Sequence, residues 1–249
     1  MEQHVYDQFN QLEQQHWWFC ARRKYLDQVI KTLQFKNDKP HQFCEIGSGT
    51  GGNLPMLCHY ADVDAVEMND DARNIIQQKQ IAGVQNVLSG HLPDNMSLDK
   101  KYDAVFSLDV IEHVEDDKAA LVQIKNYINE DGWLVTTVPA YQWLWSAHDE
   151  ANHHKRRYTK ADYCDLLESA GYDVVYASYF NTILFPLAVL ERVFSQIKSS
   201  KENAQESVVK LPGKLINSIF TFLFGLESNW AGKLRMPFGL SVVVVAKVK

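Results

Sequence analysis

Over most of its length the chain alternates brief apolar runs with stretches whose apolar residues recur at helical spacing. Gln42–Ile46, Val63–Glu67, Val84–Leu88, Ala104–Leu108, Trp133–Val138 and Val174–Tyr179 are short, apolar and often β-branched, the pattern of buried strands. Between them, Asp70–Gln80, Asp117–Ile128 and Lys160–Ser169 read as helices. The first carries acids in its opening turn and the last stops before Gly171. Asn53 and Pro55 stand in the order of an N-cap and an early-turn proline for one more helix after the first strand. Strands alternating with helices imply parallel βαβ units, hence an α/β fold with an open, doubly wound sheet.

Three stretches depart from that rhythm. Leu12–Leu33 has helical spacing and an aromatic cluster, Trp17, Trp18 and Phe19. From Asn181 to Pro237 there is no strand; a helical run (Leu184–Phe194), a polar linker (Lys198–Glu206) and a second apolar helix (Leu211–Leu226) follow one another. Ser241–Val248 is then too apolar to lie on a surface, and reads as a strand that rejoins the sheet. The 249 residues therefore divide as one domain, with residues 1–38 as a helical cap, 182–238 as a helical insertion and 239–249 as the returning strand.

Composition narrows the function classes. A net charge of −6 argues against a general nucleic-acid binder, which carries a basic excess. Cys20, Cys44, Cys58 and Cys164 form no C-x-x-C pair, so reduced thiols in a cytoplasmic protein are expected rather than a disulfide frame or a cysteine zinc site. The N-terminal residues show no signal-peptide pattern. Val174–Leu190 is interrupted by Asn181, Thr182 and Pro186 and does not suit a spanning helix. The 211–226 helix is read first as a helix buried over the sheet edge. Its alternative is an interfacial helix making peripheral contact with a membrane or with a second copy.

The sharpest motif is Glu45-Ile46-Gly47-Ser48-Gly49-Thr50-Gly51-Gly52-Asn53, placed where the first strand turns into a helix. Glycines there let the backbone turn tightly and approach a ligand, and the helix N-terminus offers free N–H groups. Glu67 follows Gly47 by 20 residues at the end of the next strand, where a carboxylate can accept from both ribose hydroxyls of an adenosine ligand. Gly47, Gly49 and Gly52 satisfy the dinucleotide spacing G-x-G-x-x-G, whereas Gly47, Gly49 and Gly51 satisfy G-x-G-x-G. Glu45 separates the two, because its charge repels a pyrophosphate and suits an ammonium group.

These residues resemble the class I S-adenosylmethionine-dependent methyltransferases. EIGSGTGGN is similar to that family's first motif, VDAVEMN to its second and YDAVFSLDVIEHVED to its fourth. HWWFCARR, the stretch from VPAYQWLW to SAGY, SYFNTILFP and MPFGLSVVVVAK look like a bacterial subgroup associated with glycan or lipid-linked assembly. The resemblance implies a Rossmann-like seven-stranded sheet with an antiparallel last strand, and S-adenosyl-L-methionine as cofactor. By position it puts Gly47, Ser48, Gly49 and Gly51 against the methionine part of the cofactor, with Glu45 near its amino group. Glu67 falls at the ribose, Met68 against the adenine, His91 and Leu92 beside the adenine amino group, and Ser107, Leu108 and Asp109 along the methionine end. Many relatives carry an acid where this chain has His91.

Moving a methyl group to a hydroxyl requires alignment and a base. His113, just past the fourth strand, and His154, in the His148-Asp149…His153-His154 segment after the fifth, are the catalytic candidates, since ligands of open α/β sheets bind at the carboxyl ends of strands. Asp109, Glu112, His113 and a downstream histidine also resemble the ligand set of metal-dependent O-methyltransferases, although those more often carry Glu at the place of Asp109; no metal is assigned. Trp143 and Trp145 join Trp17 and Trp18 as an acceptor pocket or as cap packing, and Lys155-Arg156-Arg157 reads as an anion contact or a solvated turn. The expected reaction is O-methylation of a small molecule or lipid-linked glycan. The residues alone also admit an NAD(P)-binding oxidoreductase, or a non-catalytic cofactor-binding partner of a glycan-assembly complex.

Overall fold

The computed structural model describes residues 10–35, 40–96, 98–197 and 211–249. Seven strands, β1 (His41–Ile46), β2 (Ala61–Glu67), β3 (Val84–Ser89), β4 (Tyr102–Leu108), β5 (Ile128–Pro139), β6 (Tyr172–Phe180) and β7 (Ser241–Val248), form one sheet in the order β3-β2-β1-β4-β5-β7-β6. β7 is antiparallel to both neighbours and the other pairings are parallel. The expected Rossmann-like sheet with its antiparallel last strand is therefore present. The run Val242–Val245 lies at the sheet's interior, between β5 and β6, which is why that segment carries no polar face.

Helices cover both faces: α1 (Trp17–Ile30), α2 (Leu54–Leu57), α3 (Asp70–Lys79), α4 (Asp117–Lys125), the short α5 (Ala147–Ala151) and α6 (Lys160–Ser169), with α7 (Phe185–Ile197) and α8 (Lys214–Leu226) in the insertion. Alternate strand residues feed two cores. Phe43, Phe106, Val135 and Val243 meet Tyr25, Leu26 and Val29 of α1 on one face. Cys44, Val105, Leu134 and Val244 meet Leu121, Ile124, Tyr163 and Leu167 on the other. α8 packs back on α1 through Phe220 and Phe224, whose rings lie 5.4 and 6.3 Å from Trp17, and Trp18 stacks on Phe224 at 5.5 Å.

Element boundaries differ from the sequence pattern where capping or strand pairing takes over. The expected helix from Leu12 is broken: Asn10–Leu12 are helical, a turn follows over residues 13–16, and α1 restarts at Trp17, where the His16 ring accepts the Trp18 N–H at 3.3 Å and caps it. α4 ends at Lys125; of the residues expected to complete it, Asn126 and Tyr127 turn and Ile128 enters β5, which runs through Asp131-Gly132 instead of starting after it, with Tyr102 paired to Ile128. Asn53 stands at the N-cap of α2 but makes no cap bond. The polar linker Lys198–Glu206 lies outside the described residues. No helix among the described residues is long and apolar enough to cross a membrane.

Candidate active site

The chain reverses its direction of strand addition between β1 and β4, so the crevice at their carboxyl ends is the ligand position of an open sheet. There β1 runs into Gly47, Gly49 and Gly51, with φ of +74°, +53° and +85°. A side chain on Gly47 would put its Cβ 2.5 Å from Val110 Cγ2, whereas a Cβ on Gly49 would meet nothing within 4 Å. Gly49 thus marks the open lip of the loop and Gly47 its tightest point. Gly52, the third glycine of the dinucleotide spacing, backs onto the buried Glu13 carboxylate instead of opening into the crevice. Glu13 accepts from Thr50 Oγ1 at 2.8 Å and pairs with Lys79, which ties the N-terminal segment over the glycine loop.

Two carboxylates line this side. Glu45 is 1% exposed; one oxygen accepts from Asn53 Nδ2 at 2.8 Å and the other has no partner. Asn53 itself has helical rather than extended backbone (φ −91°, ψ −20°), in keeping with the missing cap bond. Burial pushes the Glu45 carboxyl up to about 7, against the opposing pull of Asn53 and Arg22. Glu67 accepts the Gly49 N–H at 2.8 Å on one oxygen and the Asn69 N–H at 2.9 Å on the other. Its position is set by backbone, and each oxygen keeps a second lone pair. Met68 beside it is 63% exposed, an apolar side chain left on the open surface. His91 is exposed and held by backbone pairing with Asn95. Leu92 is half-buried next to it, Ser48 hydrogen-bonds the Glu45 carbonyl at 2.9 Å, and Ser107 is buried with its hydroxyl unpartnered.

At the end of β4, after Leu108, Asp109 takes φ +59° and turns its carboxylate to Arg22 of α1 at 2.8 Å and to Thr137 Oγ1 at 2.8 Å. Arg22 also reaches Thr137, is 5% exposed, and keeps its Nε unpartnered. It is the residue that sequence reasoning missed: it lies in HWWFCARR, but no spacing rule brings position 22 to position 109.

Beyond Asp109 the structure gathers Glu112, His113 and His154, each offering one ligand-type atom within 4.8 Å of the others. The two imidazole rings meet edge to face at 4.6 Å. His154 Nδ1 lies 2.9 Å from Asp149 Oδ1, and Arg157 grips the same carboxylate through Nε and Nη2 at 2.7 and 2.8 Å. Burial would raise the Asp149 carboxyl, but the bonds from His154, Arg157 and Ser146 hold it well below the usual carboxylate range. Burial, followed by the neighbouring His154, lowers His113 to about 4, so its imidazole is neutral at physiological pH. Glu112 has both oxygens unpartnered and fully buried; burial and then the Asp109 charge push its carboxyl well above its ordinary value. His153 is exposed and turned away from this group by its positive φ.

The basic turn is internally paired. Arg157 serves Asp149, Arg156 bonds Asp117 at 2.7 Å, and Lys155 faces Glu115 at 3.4 Å. Arg156 and Arg157 are thus compensated within the fold, while Lys155 stays at the surface. Trp17 and Trp18 pack on α8 and on Phe180, the cap-packing outcome, while Trp143 stays 53% exposed beside Phe185.

Against known proteins, the model of the methyltransferase domain family matches residues 16–177, well over half of the chain. No curated protein matches it in sequence. Among solved structures it is similar to an S-adenosylmethionine-dependent methyltransferase from Clostridium acetobutylicum ATCC 824 (12% identity, TM-score 0.58, covering 90% of this chain and 91% of that one). An S-adenosylmethionine-dependent methyltransferase from Thermotoga maritima superposes with a TM-score of 0.56 at 18% identity, over 99% of this chain and 100% of that one. A glycopeptide N-methyltransferase complexed with S-adenosyl-L-methionine gives 0.55 at 10% identity, over 91% and 87%. At such identities these likenesses concern the fold.

Proposed function

The chain belongs to the methyltransferase domain family and is an S-adenosylmethionine-dependent methyltransferase; from that premise we propose that it methylates an oxygen of a small-molecule or lipid-linked glycan acceptor, with His154 as the base. The observation that carries this reading is the Asp149–His154 pair at 2.9 Å, with neutral His113 packed against it. A carboxylate fixed on one ring nitrogen orients the imidazole and supports the positive charge it gains on taking a proton, leaving the other nitrogen for the acceptor hydroxyl. A base positioned in this way is worth ~10²–10⁴ in rate. An amine acceptor that arrives uncharged has less need of one.

The cofactor side fits an aminoacyl sulfonium ligand. The unpartnered Glu45 oxygen suits its ammonium group, and Gly49 leaves open space at the loop. In this reading Glu67 takes the ribose and exposed Met68 the adenine, and Gly47, Ser48, Gly51, His91, Leu92, Ser107 and Leu108 complete the cofactor site. When bound, the cofactor supplies a methyl group already activated on sulfur. The protein's part is to align the acceptor, exclude water and take the proton to His154. Arg22 holds Asp109 in place and ties α1 to the crevice, which supports reading the helical cap as part of the same domain as the sheet.

Cofactor labelled in its methyl group, incubated with the protein and host lipid, glycan and small-molecule fractions, tests the proposal. Label is expected in an O-methyl product. Label found only on nitrogen would defeat the oxygen reading. Glu67→Ala is expected to weaken cofactor binding by about 1.5–3 kcal/mol, the worth of hydrogen bonds to a charged group; unchanged affinity would remove Glu67 from the site.

A further inference from the structure

α8 is apolar on two opposite sides. Its inner side, Phe220 and Phe224, is buried against α1, where Asn217 also accepts the Trp17 N–H at 2.9 Å and donates to the Gln15 carbonyl. Its outer side holds Leu215, Ile219 and Phe222 at i, i+4 and i+7, with Ile216 beside them; they are 75%, 45%, 65% and 51% exposed. A contiguous stripe of this kind on a surface helix marks a contact site. α7 repeats the feature with Leu187 and Leu190, each more than half exposed, and the Ile183 N–H before it donates to Glu227 just after α8, so the two helices meet at that end.

We propose that this stripe rests on an anionic lipid bilayer, α8 lying in the headgroup plane with Leu215, Ile219 and Phe222 turned into the acyl boundary. Charge selects a bilayer over a second copy of the chain. The whole chain carries −6. At α8 itself, however, the charged side chains are lysines. Lys214 opens α8, and exposed Lys24 of α1 runs alongside Gly225. Two copies apposed through this face would set these lysines against each other, whereas anionic headgroups complement them. The 13 residues of α8 span about 20 Å, too short to cross a hydrocarbon core of about 30 Å and suited to lying along it. The inference goes beyond the acceptor reading, since a protein can dock on a bilayer whatever its acceptor.

Flotation of the full chain with vesicles of phosphatidylcholine alone, or with about one third phosphatidylglycerol, tests it without any turnover. Retention is expected on the anionic vesicles, weakened several-fold in about 0.5 M salt as screening shortens the Debye length. Leu215→Gln with Phe222→Gln is expected to lower retention about tenfold or more, from the apolar area withdrawn, at unchanged cofactor affinity, which reports that the variant is folded. No retention of the wild-type protein, or equal retention on both vesicle types, overturns the proposal. So does a dimer in sedimentation equilibrium that the double variant abolishes. The salt response needs no variant, so a failure of the double variant to fold leaves the question decidable.

Discussion

The two sides of the crevice are built on different terms. On the cofactor side, Glu45 and Glu67 are positioned by groups close in the chain or by backbone: Asn53, the Gly49 N–H and the Asn69 N–H. Around Asp109 and the histidine pair, positions come from segments distant in the chain. Arg22 reaches Asp109, His113 packs on His154, and the Lys155 N–H donates to the Glu112 carbonyl. The charge logic is also reversed. Glu45 is an acid held toward its neutral form by burial, whereas Asp149 is an acid held firmly ionised by its bonds from His154, Arg157 and Ser146. In the proposed reading, one side keeps an acceptor for a cation that arrives with the cofactor, and the other keeps the Asp149–Arg157 pair intact and orients His154 toward the acceptor.

The largest expected effect of testing that contrast is at Asp149. Asp149→Asn strands the buried Arg157 guanidinium and should cost about 3–5 kcal/mol of stability, read by chemical denaturation. Cofactor affinity should stay within about twofold in the surviving folded fraction. A large fall in cofactor affinity at intact stability would erase the division between the sides.

Next come the glycines. Gly47→Ala adds a collision with Val110 to a left-handed backbone, about 3 kcal/mol in all, while Gly49→Ala meets only the backbone term of about 1 kcal/mol. Equal losses in thermal denaturation would contradict the description of the loop. His154→Gln should then lower turnover about 100-fold with cofactor affinity unchanged, measured by separate binding and rate experiments.

A smaller effect is expected in pH. The folded-state carboxyl of Glu45 is raised to about 7. In the cofactor-free protein the stability it contributes is therefore complete below its ordinary value near 4.5 and is lost as pH rises through about 7. His113 acts the other way: the folded state binds fewer protons than the unfolded one between about 4 and 6.5, so stability rises with pH across that window. An ammonium beside Glu45 favours its charged form, so cofactor affinity should climb between about pH 5.5 and 7 and lose that climb in Glu45→Gln, followed by calorimetry. The smallest expected effect is none. Dialysis against a chelator should leave turnover unchanged, because Arg22 already occupies Asp109 and burial disfavours an ionised Glu112.

How much of this was legible follows the same line. Gly47 to Asn53 and Glu67 could be read from the chain because the loop, the helix start and the neighbouring strand are set by local backbone geometry. The alternation of strands with helices and the buried run Ser241–Val248 followed from apolar patterning, whereas the antiparallel setting of that last strand came only from the family resemblance. Arg22 could not be read, since its meaning depends on α1 crossing the sheet to Asp109. Nor could the difference between Lys155-Arg156-Arg157 as a binding patch and as a set of internal pairs, which is decided by Asp149, Asp117 and Glu115 arriving from other segments. Asn53 shows the same limit at short range: its cap position was visible in the sequence, its bond to Glu45 was not.

The place of β7 bears on how the molecule is made. β6 ends at Phe180, yet the strand it pairs with begins only at Ser241, and that strand also supplies one edge of β5. While the chain is emerging from the ribosome, β6 therefore has no partner, and β5 shows an open ladder beside β4, until residues 241–248 have left the exit tunnel. Pairing that waits on so distant a segment is slow and exposes strand edges meanwhile. A nascent chain stalled between residues 181 and 240 should hold the β3-β2-β1-β4 half of the sheet in order and depend on chaperones for the rest.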